Sequence, residues 1–272
     1  MISDAARFTG SIPEHYDRGL GPMIFVDYAT EMARRVVAHA PKRVLETAAG
    51  TGIVTRALRD ALPSTVGLTA TDLNPPMLEI ARTKSGSGEP VEFLAADAMA
   101  LPFADGSFDA VVCQFGVMFF PDKPKSYAEV FRVLEPGGHY LFSVWDEHRF
   151  NPFGRIVHDV AARFFPADPP QFYTVPFSSH RIDPVKQALL DVGFAGITIS
   201  VVTLQKQVPD AAAFARGLVF GNPLRDQILA RGGDPEQVVE AVLRELHREF
   251  GADPGSMPLQ AIMFSAQRPF GR

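Results

Sequence analysis

The sequence predicts a doubly wound α/β fold built around a mostly parallel sheet. Between residues 43 and 145, five short apolar runs alternate with segments that carry apolar residues at helical spacing. This alternation is typical of parallel strands joined by right-handed crossovers. The run "FDAVVCQFGV" at 108–117 is almost continuously apolar, which suits a strand buried on both faces. We therefore expect an α/β domain that binds ligands at the carboxyl ends of its strands.

The N-terminal half of the chain supplies these five strands in order. Strands are predicted at 43–47, 65–72, 90–97, 108–117 and 139–145. Helices are predicted at 25–40, from 53 to 62, from 74 onward and at 126–134, with "EPGG" (135–138) ending the last of them. Asn74 is a candidate N-cap because the two prolines that follow it are tolerated in a first helical turn.

The C-terminal half predicts one further helix, at 183–194, and two further strands, at 197–208 and 259–269. Two segments interrupt this order. One, at roughly 148–180, is rich in Phe and Pro, and the other, at 210–250, is helical. Both are expected to be insertions that lie above the carboxyl ends of the strands.

The composition of the chain limits its expected partners and its expected cellular setting. The chain has 272 residues, 46% hydrophobic and 21% charged, with a net charge of -5, as in ordinary globular domains. It has no basic cluster that would bind a phosphate backbone, so nucleic acid is an unexpected partner. The single cysteine, Cys113, excludes an internal disulfide, and neither a leader nor a membrane-spanning run is visible. A reduced, cytoplasmic setting without membrane insertion is expected.

The stretch "LETAAGTG" at 45–52 predicts a ligand-binding turn between the first strand and the first helix. Asp72 ends the second strand about 20 residues later, where a carboxylate can accept two hydrogen bonds from a ribose. Ribose binding by Asp72 is compatible with NAD and with any other adenosine ligand. The alternative is that Asp72 only caps the turn that follows the strand. Thr55 replaces the third glycine of the dinucleotide fingerprint, and Glu46 would face a diphosphate, so both residues argue against NAD.

Four stretches in order resemble the motifs of class I S-adenosylmethionine-dependent methyltransferases, notably the branch with the ubiquinone and menaquinone biosynthesis enzymes. They are "VLETAAGTG", "TATDLNPPMLEIA", "FLAADAMALPFADGSFDAVVCQFGVMFF" and "VFRVLEPGGHYLFSVW". The resemblance implies a Rossmann-like sheet of seven mostly parallel strands with an antiparallel C-terminal strand. It also implies a single domain with lid helices at 1–43, a cofactor-binding core at 44–145, cap insertions at 146–182 and 209–256, and the rest of the sheet at 183–208 and 257–272.

The resemblance further implies S-adenosyl-L-methionine as the cofactor and assigns its contacts by position. The backbone around Ala48 and Gly50 would meet the amino-acid tail, although the family usually has glycine where Ala48 stands. Glu46 would help to place the ammonium group of the tail, often through water, and Gly52 is a further expected cofactor-binding residue. Asp72 would hold the ribose. The remaining expected contacts are the adenosine-packing Leu73 and Met77, the adenine-binding Asp97 and Ala98, Gln114 on the methionine side, and the lid tyrosine Tyr16.

Several of these residues have structural alternatives. Met77 is at helical spacing with Ile80 and is about as readily a core residue. Asp97 can cap the following turn, and Glu46 can act from behind the residues that touch the ligand. Tyr16 can anchor the first helix, or it can place its ring beside a sulfonium.

The resemblance implies methyl transfer by in-line displacement, in which alignment and desolvation supply most of the acceleration. The sequence has no metal-binding motif such as HExxH or paired CxxC, and its pattern identifies no catalytic residue. His15, His139, His148, His158 and His180 are candidate bases by residue type alone, whereas Cys113 is expected to be a core thiol. An NAD-dependent oxidoreductase and a cofactor-binding protein without turnover are the competing functions. The oligomeric state is left open.

Aromatic residues indicate what kind of acceptor the protein takes. Met118, Phe119 and Phe120 follow the fourth strand, and the insertions add Phe150, Phe153, Phe164, Phe165, Phe172, Phe177, Phe214 and Phe220. If some of these line a cavity above the strand ends, a small, largely apolar acceptor molecule fits best. The alternative is that most of them form the ordinary core of the insertions.

Overall fold

The computed structural model describes residues 4–86 and 88–271. It contains a seven-stranded sheet with strand order β3-β2-β1-β4-β5-β7-β6. The strands are β1 (Arg43–Glu46), β2 (Gly67–Asp72), β3 (Val91–Ala95), β4 (Phe108–Gln114), β5 (Leu134–Trp145), β6 (Ala195–Val208) and β7 (Gly255–Gln267). Strands β3, β2, β1, β4 and β5 pair in parallel, whereas β7 pairs antiparallel with both β5 and β6. The predicted fold class is confirmed.

Helices pack on both faces of the sheet and above its carboxyl edge. They are α1 (Ile12–His15), α2 (Val26–Val37), α3 (Ile53–Ala61), α4 (Pro75–Thr83), α5 (Lys123–Val133), α6 (Pro152–Phe164), α7 (Ile182–Val192), α8 (Ala211–Phe220), α9 (Leu224–Ala230) and α10 (Pro235–Phe250). Each predicted helix is present within a few residues of its expected bounds. None of the helices in the described part of the chain is long and apolar enough to cross a membrane.

The junction between α5 and β5 differs from the prediction. "EPGG" was expected to separate the helix from a strand beginning at 139, but β5 begins at Leu134, directly after the helix. The pairing with β4 jumps from Leu134 to His139, so residues 135–138 form an irregularity inside the strand. Gly137, at φ 88°, allows this turn, because L side chains rarely adopt such a backbone conformation.

A π-helical stretch, Tyr16–Phe25, precedes α2 and was not predicted. It contains Pro22, which has no N–H to donate to a preceding turn, and Gly19, which approaches the backbone of α8. A Cβ added to Gly19 would lie 2.6 Å from Cα of Gly217. Side chains at either position would therefore separate the N-terminal segment from the α8 insertion.

The hydrophobic core forms layers on either side of the sheet. On one side, α2 and α3 place Met32, Val36 and Leu58 against Val44 and Val112. On the other side, the core continues from the sheet into the insertions that contain α6, α8, α9 and α10. The insertions therefore share a continuous core with the sheet, and this fixes their position over the strand ends.

Candidate active site

A cavity of about 340 Å³ lies over the carboxyl ends of the parallel strands, between the sheet, the N-terminal segment and the insertions. Nine of the eleven residues predicted to contact the cofactor line it: Tyr16, Ala48, Gly50, Asp72, Leu73, Met77, Asp97, Ala98 and Gln114. Glu46 and Gly52 do not. The structure therefore brings most of the predicted set together at one end of a single cavity.

Asp72 organises the glycine turn as well as facing the cavity. Its Oδ2 accepts a hydrogen bond from the Gly50 N–H at 2.8 Å, and its Oδ1 accepts one from the Asn74 N–H at 2.8 Å. Burial raises the pKa of Asp72, and the N–H groups of Asn74 and Gly50 partly offset that rise. The turn-capping interpretation is thus correct for part of this carboxylate. Oδ1 also accepts from Asn74 Nδ2 at 3.3 Å, so Oδ2 is the oxygen that can accept a further bond.

Glu46 lies beneath the glycine turn. Its side chain is buried, and its Oε2 accepts a hydrogen bond from the Thr55 hydroxyl at 2.6 Å. Burial, together with the nearby charge of Asp72, raises the pKa of Glu46 to about 8. The resemblance implies that Glu46 helps to place the ammonium group of the cofactor, often through water. The geometry fits the alternative, in which Glu46 acts from behind the lining residues.

Gly52 is the N-cap of α3, at φ 78°, and a Cβ there would lie 2.7 Å from Cβ of Ala81 on α4. This glycine therefore allows two helices to approach each other and does not line the cavity.

Ala48 adopts a left-handed backbone conformation, with φ 52°. Such a conformation costs an L residue about 1–2 kcal/mol, and glycine adopts it freely. The same turn packs closely against the end of β4, since a Cβ added to Gly116 would lie 2.6 Å from Cβ of Ala48. The turn thus keeps its shape without the glycine that the family has at this position.

The third strand brings a second carboxylate to the cavity. Oδ1 of Asp97 accepts a hydrogen bond from the Met99 N–H at 2.8 Å, so this side chain also shapes a turn. Between Asp97 and Asp72, the wall is formed by Leu73, Met77 and Ala98. This end of the cavity combines two carboxylates from adjacent strands with an apolar surface. That combination fits the hydroxyls, amino group and ring faces of a nucleoside.

The N-terminal segment covers the same end of the cavity. The Tyr16 ring stacks on Phe25 with centroids 5.0 Å apart and meets Phe8 edge-on at 5.9 Å. The Asn74 side chain, predicted to cap α4, makes no capping bond and instead holds this segment. Its Oδ1 accepts from the Phe8 N–H at 3.2 Å, and its Nδ2 donates to the Ala6 carbonyl at 3.1 Å.

Gln114 connects the end of β4 to this cover. Its Nε2 donates to the Phe25 carbonyl at 3.2 Å. Gln114 is one of the residues that line the cavity, and its Oε1 is buried without a hydrogen-bond partner among the described residues. A buried amide oxygen without a partner is costly, so a ligand N–H or O–H is the natural group to satisfy it.

Aromatic side chains line the other end of the cavity. Phe153, Phe172 and Phe177 from the insertions face it, as predicted, together with Met118, Phe119 and Phe120. The other five phenylalanines of the insertions, Phe150, Phe164, Phe165, Phe214 and Phe220, do not line it. Phe214 is fully buried in the core, whereas Phe164 is exposed. The core interpretation is thus correct for Phe214.

Sequence reasoning missed several residues at this end, among them Trp145, Tyr173 and Asn222. Trp145 stacks on Phe115 with centroids 4.0 Å apart and meets Phe153 edge-on. Asn222 donates to the Tyr173 hydroxyl at 3.2 Å and to the Leu218 carbonyl at 2.9 Å. The position of Trp145 at a strand end was the available signal, whereas Tyr173 and Asn222 meet only through the tertiary fold.

Comparisons with known proteins identify the family. A family model described as "Methyltransferase domain" matches residues 45–142. A demethylmenaquinone methyltransferase of Renibacterium salmoninarum is 33% identical over 184 residues, which cover 62% of this chain and 75% of that protein. The chain belongs to the S-adenosylmethionine-dependent methyltransferase family. This confirms the resemblance that the four motifs indicated.

A second relative matches the same region of the chain, and a solved structure shares the fold. A demethylmenaquinone methyltransferase of Thermus thermophilus is 41% identical over 128 residues, 47% of this chain. The match spans only 58% of that relative's length. The crystal structure of the YcgJ protein from Bacillus subtilis superposes with a TM-score of 0.59 at 21% identity, covering 90% of this chain and 100% of that one. The family model ends at residue 142, before the insertions that form the aromatic end of the cavity.

Proposed function

We propose that this protein transfers a methyl group from S-adenosylmethionine to a small, largely apolar acceptor. The observation that carries the proposal is a single cavity with two carboxylates at one end and an aromatic wall at the other. A nucleoside cofactor suits the first end, and an uncharged ring or chain suits the second. Their continuity allows a methyl donor and an acceptor to meet.

In this proposal, Asp72 and Asp97 bind the nucleoside, and the turn around Gly50 and the Gln114 amide oxygen hold the amino-acid tail. When bound, S-adenosylmethionine supplies an electrophilic methyl group. Tyr16 and Phe25 close the cavity above it and exclude water. Trp145, Phe153 and Phe177 orient the acceptor, so that alignment and desolvation supply the rate enhancement.

A quinone-type ring is the acceptor that we propose to test first. The relatives from Thermus thermophilus and Renibacterium salmoninarum are both named demethylmenaquinone methyltransferases. The aromatic wall supports the same choice, because flat rings pack well against Trp145 and its phenylalanine neighbours.

The experiment has two stages. Calorimetric titration with S-adenosylhomocysteine first measures cofactor binding, with NADH as the comparison ligand. Mass spectrometry then measures methyl transfer from S-adenosylmethionine to a panel of quinols, phenols and aliphatic carboxylates. We expect binding of S-adenosylhomocysteine and methylation of quinols or phenols. Binding without any methylated product would indicate a cofactor-binding protein and overturn the proposal.

A further inference from the structure

Residues 4–8, which we call the strap, cover the carboxylate end of the cavity. The buried Phe8 ring lines the cavity, where it meets the Tyr16 ring edge-on at 5.9 Å and the Phe119 ring edge-on at 5.8 Å. These contacts join the strap to the rest of the N-terminal segment and to the residues that follow β4. The strap is thus part of the wall between this end of the cavity and solvent.

The side chain of Asn74 holds the strap in place. Its Oδ1 accepts from the Phe8 N–H at 3.2 Å, and its Nδ2 donates to the Ala6 carbonyl at 3.1 Å. Nδ2 also donates to Oδ1 of Asp72 at 3.3 Å, so both of its hydrogens are used. Asn74 is the N-cap residue of α4, yet its side chain makes no capping hydrogen bond. This carboxamide therefore links the strap to the carboxylate that is proposed to bind the ribose.

The link between the strap and α1 has the features of a hinge. Residues 9–11 are exposed. Gly10 adopts φ 64°, which is strained for other residues, and a Cβ added to it would have no neighbour within 4 Å. Beyond the link, Ile12 is fully buried, and a Cβ added to Gly221 would lie 3.0 Å from Cα of Tyr16. The strap can therefore move while the chain from Ile12 onward stays packed.

We infer that the strap is a gate over the cofactor end of the cavity, with Asn74 as its latch and residues 9–11 as its hinge. The inference rests on the proposed function and adds how the cofactor enters and leaves. Asn74 is a positioning residue here, because it acts on the strap and not on the reacting atoms. The latch bonds join protein groups to each other, so opening is a step in both entry and release of the cofactor.

A gate has a kinetic signature that a direct ligand contact lacks. Asn74 lines the cavity, so its side chain could instead touch the cofactor. Loss of such a contact would raise the dissociation rate alone and would weaken affinity by the same factor. Loosening a gate raises the association and dissociation rates together, and Kd is their ratio. The two roles of Asn74 can therefore be distinguished.

The first test is the binding kinetics of S-adenosylhomocysteine on the immobilised full chain, measured by surface plasmon resonance. Asn74→Ser removes both latch bonds but keeps a residue that caps helices as well as asparagine does. Because two ordinary hydrogen bonds are lost, we expect both rates to rise about tenfold while Kd stays within about twofold of the native value. Unchanged rates in the folded variant, or a faster dissociation alone with weaker affinity, would overturn the inference.

A second variant acts on the hinge, away from the cavity. Gly10 does not line the cavity, and Gly10→Ala strains the closed position. We expect it to raise both rates together by about fivefold, because alanine disfavours a left-handed backbone. Gly232→Ala is the matched control. Gly232 also has a left-handed φ, 72°, and open space around an added Cβ, but it lies between α9 and α10.

The control should bind and release S-adenosylhomocysteine at the native rates. Native rates in Gly10→Ala, or equal acceleration in Gly10→Ala and Gly232→Ala, would overturn the gate while leaving the proposed function intact. A native chain that binds no S-adenosylhomocysteine would overturn the proposed function and the gate together. Thermal unfolding verifies that each variant is folded.

Discussion

Glu46 is a buried carboxyl whose main side-chain partner is a hydroxyl, and this makes the protein sensitive to pH. Its pKa of about 8 in the folded chain exceeds the usual value of 4.5. Between these two values, the folded state holds one more proton than the unfolded state. Stability therefore falls as the pH rises from about 4.5 through 8.

We predict that Glu46→Gln flattens this dependence. Between pH 6 and pH 8.5, the melting temperature of the native sequence should fall relative to that of the variant, because the amide carries no titrating proton. Thermal unfolding followed by circular dichroism across this range measures the difference. Glu79→Gln, at an exposed surface pair, is the control and should follow the native sequence. If the melting temperatures of all three proteins changed with pH in parallel, the raised pKa of Glu46 would be contradicted.

The Asp72 carboxylate offers a second test. Asp72→Asn keeps the shape of the side chain but removes the charge that strengthens hydrogen bonds to ribose hydroxyls. Such bonds contribute about 1.5–3 kcal/mol each, so affinity for S-adenosylhomocysteine should fall about tenfold or more. Calorimetry measures this. Asp60→Asn, at an exposed position on α3, should bind normally. Unchanged affinity in a folded Asp72→Asn variant would exclude the ribose role.

Sequence motifs predicted most of the residues that line the carboxylate end of the cavity, because the ends of parallel strands meet at one edge of a sheet. They could not place Glu46, since its direction depends on the pleat of β1 and on the Thr55 hydroxyl beneath the turn. They could not reveal Asn222 either, because its partner Tyr173 lies 49 residues away in sequence. Contacts of this kind are set by tertiary packing alone.

At the scale of elements, the contact between the N-terminal segment and α8 depends on two glycines. A Cβ added to Gly217 would lie 2.8 Å from Cα of Gly19. Alanine normally stabilises a helix interior by up to about 1 kcal/mol relative to glycine. A loss of stability on substitution can therefore be attributed to this contact.

We predict that Gly217→Ala lowers the melting temperature and weakens cofactor binding, although residue 217 does not line the cavity. Overpacking of this kind costs about 1–3 kcal/mol, and the displaced segment carries Tyr16 and Phe25. Differential scanning calorimetry and titration with S-adenosylhomocysteine measure the two effects. Ala212→Gly, at an exposed position on the same helix, should cost stability but leave affinity unchanged. A higher melting temperature for Gly217→Ala would refute the close contact.

The π-helical stretch shows why this segment could not be predicted in detail. Periodicity analysis compares apolar spacing with the α-helical repeat, and the run from Tyr16 to Phe25 follows a wider one. The constraint that accompanies it, Gly19 against Gly217, joins parts of the chain that are distant in sequence. The helices that cover the sheet were predictable because their apolar stripes face a core.

Ligand binding should stabilise the fold selectively, with S-adenosylhomocysteine raising the melting temperature and NADH leaving it unchanged. S-adenosylhomocysteine at one hundred times its dissociation constant adds about 2.7 kcal/mol, which corresponds to a rise of several degrees in melting temperature. NADH should give no rise, since Thr55 stands at the position of the third fingerprint glycine and the Glu46 carboxyl lies directly beneath the turn that a diphosphate would have to approach. A rise with NADH alone would favour an oxidoreductase.

The sheet itself was predictable because alternating strand and helix patterns leave few topologies open. The paths of the cap insertions, 146–182 and 209–256, could not be predicted. Their apolar residues look the same in the sequence whether they pack against each other or line a cavity. Phe214 and Phe153 have the same side chain, yet only Phe153 lines the cavity. Composition cannot distinguish these two environments.

The buried thiol of Cys113 allows opening of the end of β4 to be measured in the native chain. It is the one cysteine in the chain, and its sulfur lies directly behind Gly116 in the cavity wall. A thiol-reactive dye can therefore modify the native chain only when the end of β4 opens, so the labelling rate measures that opening without any added probe. Saturating S-adenosylhomocysteine should slow the labelling, and the ratio of the two rates gives the free energy by which the ligand holds the strand end closed.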